Sequence, residues 1–137
     1  MANKEKVYEA FGELLYAVAR AEGKVKKDTV EQLEKLLEKY SWANDAIWSF
    51  KYEKNRKNTF EEAYDHALDV FTENGPMAEY ETFFELLDEL SEESHPLLGV
   101  RGKRVLTNFK RKLHRNFMEN ENIFSNDEPE EENDKNQ

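Results

Sequence analysis

The sequence predicts an all-α protein, and three observations carry that expectation. Apolar residues recur at helical spacing in nearly every segment, no segment alternates apolar and polar side chains as a strand does, and glycine, proline and capping residues fall between the periodic stretches. The expected architecture is a compact bundle of about five to six helices over residues 4–118, followed by a disordered acidic tail over 119–137. With 137 residues and 38% hydrophobic content, the chain is long enough for one domain with its own core and too short for two comfortable ones.

Val7, Phe11, Leu14, Leu15 and Val18 place one apolar face on a helix from about Lys4 to Ala21, which Gly23 is positioned to stop. Within "LLYAVARAEGKVKKDTVEQLEKLL" a second helix then restarts. Asp28, or Lys27 by a shifted reading, is its expected cap, and Glu31 follows Asp28 at capping-box spacing. Val30, Leu33, Leu36, Leu37 and Tyr40 form its inward face, so the stretch reads as an αα-hairpin. Residues 44–50 read as a short third helix presenting Ile47 and Trp48, and the polar "KYEKNRKN" after them as a loop.

A cleaner start follows at Thr59, with Glu62 completing a capping box and Phe60, Ala63, Tyr64, Ala67, Leu68 and Phe71 making the stripe. Gly75 and Pro76 end that helix and open the next, over about 77–93, which buries Tyr80, Phe83, Phe84, Leu87 and Leu90. "SHPLLGVRG" interrupts the chain before a final helix over about 101–117, striped by Val105, Leu106, Phe109, Leu113 and Phe117. At an offset of 72 the sequence echoes itself: Tyr8 meets Tyr80, Phe11 meets Phe83, Leu15 meets Leu87, Leu33 meets Val105 and Leu37 meets Phe109. Two pseudo-symmetric helical hairpins are the architecture this echo suggests.

Charge is distributed unevenly. Residues 1–100 carry 12 basic and 22 acidic side chains, residues 101–115 carry 7 basic and none acidic, and residues 116–137 carry 1 basic and 8 acidic. The basic island of Arg101, Lys103, Arg104, Lys110, Arg111, Lys112 and Arg115 surrounds an apolar stripe, which suits a helix that tracks phosphates or lies on anionic lipid. The plain alternative is a core helix with a basic exposed face. The acidic tail has the charge to compete for that face.

With no cysteine, thiolate metal sites and cysteine nucleophiles are excluded. The three histidines are dispersed, and His66 has Glu62 one turn before it, which is not the spacing of di-iron bundles. No enzyme is expected. Trp42, Trp48 and Phe50 crowd the weakly patterned middle as core plugs, and any of them that is exposed is a candidate for a partner groove. The N-terminus mixes charges into its apolar positions and no apolar run reaches membrane-spanning length, so a soluble cytoplasmic protein is expected.

Ala19, Ala21, Glu22, Gly23 and Val25, with Glu31 several residues on, resemble the core motif of the TerB-like family, named for a tellurite-resistance protein. The resemblance covers about residues 11–37. It implies an all-helical domain with internal pseudo-symmetry, a non-enzymatic binding module in a bacterial stress response, and a divalent cation held by Glu22, Asp28 and Glu31. Two departures stand against it: Glu22 replaces the family's Asp, and Lys24, Lys26 and Lys27 oppose a cation. Read from its own residues, the junction is a pair of helix caps, and its loop lacks the ligand spacing of an EF-hand. No other cofactor is called for. The expected partner is another protein, with nucleic acid or an anionic membrane as the alternative.

Overall fold

The computed structural model describes residues 3–23, 25–92 and 99–125. They form six helices: α1 (Lys4–Ala21), α2 (Lys27–Leu37), α3 (Ala43–Arg56), α4 (Phe60–Glu73), α5 (Ala78–Glu92) and α6 (Val100–Ser125). Among the described residues there is no strand, and no helix is long and apolar enough to cross a membrane. Lys24, the expected turn around His95 and Pro96, and the tail from residue 126 lie outside the described residues.

α1 is the axis of the bundle. Every residue from Ala10 to Val18 is buried, and the helix packs against α3, α4 and α6. Its approach to α3 is close because position 12 is glycine: a Cβ there would overlap the Ala46 carbonyl oxygen and lie 3.0 Å from the Ser49 Cβ. At its start, Asn3 caps α1 by accepting from the Lys6 amide and donates its own amide to Asn74 Oδ1 at the end of α4. Gly23 follows the last turn with a φ of 130°, as its expected role as a stop requires.

Aromatic side chains fill the centre. Phe11 and Phe83, partners in the offset-72 echo, stack with centroids 4.3 Å apart, and Trp42 meets both edge-on. Phe71 stacks on Tyr80, whose hydroxyl donates to the Phe71 carbonyl, and Phe109 of α6 meets Phe71 edge-on. Four of these rings, Phe11, Phe71, Phe83 and Phe109, are fully buried, so truncating any one costs about 3–5 kcal/mol. The junction of the second expected hairpin falls between α5 and α6, outside the described residues.

Three boundary expectations need correction. α2 begins at Lys27 with Lys26 at the cap position and no side-chain cap, so Asp28 lies in the first turn, where its charge favours the helix dipole instead of capping. α3 does not stop at Phe50 but runs through "KYEKNR" to Arg56. That segment has no aliphatic residue for its inner face. It turns Glu53 inward instead, where the carboxylate accepts from Asn58 Nδ2 at 2.8 Å, and Lys57 closes the helix in the left-handed region at φ 55°. α6 passes the expected domain end at 118 and continues to Ser125, since the acidic composition shift brings no glycine or proline to end it before Pro129. The capping box of Thr59 and Glu62 on α4 is present as expected.

Candidate functional site

The acidic junction after α1 serves the fold. Glu22 Oε2 accepts the Gly102 amide at 2.7 Å, in the first turn of α6, and Gly99 lies so near that a Cβ there would sit 2.6 Å from the same carboxylate. A carboxylate from the end of one helix thus caps the start of another, satisfying a free N–H and favouring the positive end of its dipole. Asp28 and Glu31 are exposed on α2, and among the described residues no three His, Asp or Glu side chains gather to hold a metal ion. The structure does not bring Glu22, Asp28 and Glu31 together as a ligand set.

The basic helix is placed as a surface. Leu106, Phe109 and Leu113 are buried, and the cations ring the outside. Lys110 reaches Asp88 at 3.8 Å and lies over the Phe84 ring, while Lys112 lies over the Tyr64 ring. Arg101, Lys103, Arg104, Arg111 and Arg115 are exposed and make no ion pair among the described residues. An open groove of about 470 Å³ runs past Lys103, Arg104, Thr107, Asn108 and Arg111. His114 is exposed beside a second groove, between α5 and α6.

The middle of the chain holds what sequence reasoning missed. Trp42 and Phe50 are core plugs, but Trp48 is 60% exposed and Tyr52 42% exposed. The two rings stack with centroids 5.3 Å apart, and Arg56 continues the row, its guanidinium over the Tyr52 ring and its Nη1 donating to the Tyr52 hydroxyl at 2.8 Å. Trp48, Tyr52 and Arg56 stand at i, i+4 and i+8, so they form one outward ladder along α3. The spacing is visible in the sequence, but it lies in a segment whose polar composition reads as a loop.

Beside this ladder a cleft of about 260 Å³ opens between α1, α3 and α4. His66 does not pair with Glu62, which is engaged in the capping box. Its Nδ1 instead lies 2.7 and 2.8 Å from the two carboxylate oxygens of Glu13 on α1, 53 residues away. Burial pushes the Glu13 carboxyl above its ordinary value, and the contact with His66 opposes that shift. Glu53, buried on α3, forms another wall, and Glu9, also raised by burial, and Glu73 complete the acidic rim.

No family model, curated protein or solved structure matches this chain.

Proposed function

We propose that this chain is a non-enzymatic module that binds another protein through the outer face of α3. One observation carries this reading: a tryptophan, a tyrosine and an arginine, the residue types most enriched where binding energy concentrates, form a continuous exposed ladder instead of joining the core. The ladder is ordered by its own contacts, so a partner gains rigid aromatic area at low entropic cost. The resemblance of residues 11–37 to TerB-like domains supports a role in a bacterial stress response, within the cytoplasm. The cation that the same resemblance implies loses its central ligand, because Glu22 is engaged with α6.

The test is site-specific photo-crosslinking in cells of the source bacterium. A photoreactive residue at exposed Asn55 beside the ladder should capture a species that one at exposed Glu81 on α5 does not, and Trp48→Ala should abolish the capture. The same species from both positions, or capture that survives Trp48→Ala, contradicts the reading.

A second reading rests on α6. Five exposed cations without acidic partners among the described residues suit a phosphate backbone, and Thr107 and Asn108 between them add hydrogen-bonding groups. Nucleic acid fits this face better than a membrane, since the apolar stripe of α6 is already buried and cannot insert into lipid.

A further inference from the structure

We propose that the cleft between α1, α3 and α4 receives a cationic side chain, a lysine or arginine of the partner segment that docks on the α3 ladder. The inference rests on that docking surface and adds the chemistry of its occupant. Its size comes first: at about 260 Å³ the cleft is smaller than the pockets that enclose cofactors or drug-sized ligands, and it suits a single side chain.

Its walls are matched to a cation. Glu9, Glu13, Glu53 and Glu73 face it with carboxylates, while Trp48 and Tyr52 border it with aromatic rings. Carboxylates beside π-faces form the environment that attracts ammonium and guanidinium groups, and Arg56 already lies over one of these rings.

Independent of that charge, two largely buried residues of the cleft hold polar atoms with no partner among the described residues. Ser49 is 4% exposed and lines the cleft, yet its hydroxyl makes no hydrogen bond there. Glu53 is 5% exposed; its Oε1 accepts from Asn58, and no described donor reaches Oε2. Buried acceptors are ordinarily satisfied, so these two point to a donor that arrives with the ligand. A lysine ammonium brings three N–H donors and an arginine guanidinium five, and neither brings an acceptor to conflict with the carboxylates. The cations facing the cleft, Lys6 from α1 and His66 from α4, stand opposite acidic groups on all three helices.

The experiment is an amide NMR titration of the full-length protein with three blocked tripeptides, glycine-X-glycine, where X is lysine, arginine or citrulline. Saturable shifts at Ser49, Glu53, Glu13 and His66 are expected with the two cationic peptides and not with the neutral one. Glu53→Gln, which keeps the shape and the Asn58 contact, should weaken binding about tenfold, and Ser49→Ala should weaken it less. Equal shifts from the citrulline peptide, or unchanged affinity in a folded Glu53→Gln variant, overturn the proposal. A crosslinked partner that needs Trp48 but binds Glu53→Gln as well as wild type refutes the cationic occupant and leaves the docking surface standing. Cationic peptides that bind the cleft when no partner depends on Trp48 refute the docking surface alone.

Discussion

At the scale of single residues, two positions show how far this fold depends on close contact and burial. Gly12 lets α1 lie against the backbone of α3, and because the obstructing atoms are the Ala46 carbonyl, no side-chain rotation relieves the overlap. Gly12→Ala should destabilise the protein by about 1–3 kcal/mol, read as a lower denaturant midpoint, despite alanine's better helix propensity. Stability equal to or above wild type would show that the helices separate freely. Glu13 has its carboxyl pushed above the ordinary 4.5, chiefly by burial, so the folded state holds this proton more tightly than the unfolded chain does. The ionised form is thus the costly one. Glu13 should erode stability as pH rises from 4.5 through its raised value, and the stability of Glu13→Gln relative to wild type should climb over that window and then level off. A relative stability that falls across the same window would mean that the contact with His66 outweighs burial.

At the scale of elements, the informative case is the start of α6. Its first turn receives a cap from Glu22, 80 residues earlier in the chain. Glu22→Ala should cost about 1 kcal/mol, and amide exchange should report fraying confined to the first turn of α6. Destabilisation spread evenly over the molecule would contradict a local cap. No local pattern announces such a contact, which is why Glu22 reads in the sequence as a ligand candidate or a turn residue. The helices themselves are legible wherever an apolar stripe meets a sharp signal: α1 by its spacing and Gly23, α4 by Thr59 and Glu62. Legibility fails along α3, whose second half buries a glutamate in place of an aliphatic residue and places its aromatics on the outside. The basic face is readable from charge alone, because it lies within one helix. The cleft is not, since Glu13, Glu53 and His66 meet only once three helices have packed.

At the scale of the whole molecule, the surfaces divide by charge. An acidic body presents the aromatic ladder and its cleft on α3, while α6 carries the basic stripe. If the stripe binds nucleic acid, affinity for a mixed-sequence duplex should fall steeply with salt. Replacing both Arg104 and Arg111 by glutamine should then flatten the salt dependence by about 2, one for each phosphate left without its arginine. Binding without salt dependence, or unchanged affinity in the double variant, would return this face to the role of solvated surface. The α3 reading is tested most directly by the affinity of the purified crosslinked partner for wild type, Trp48→Ala and Arg56→Ala, measured by titration calorimetry. Both side chains lie outside the core, so both variants should melt close to wild type. The account predicts that Trp48→Ala weakens affinity about 30-fold or more, as a penalty of about 2 kcal/mol at a binding hot spot requires, with a smaller effect for Arg56→Ala. Affinity within about twofold of wild type for both folded variants would contradict it.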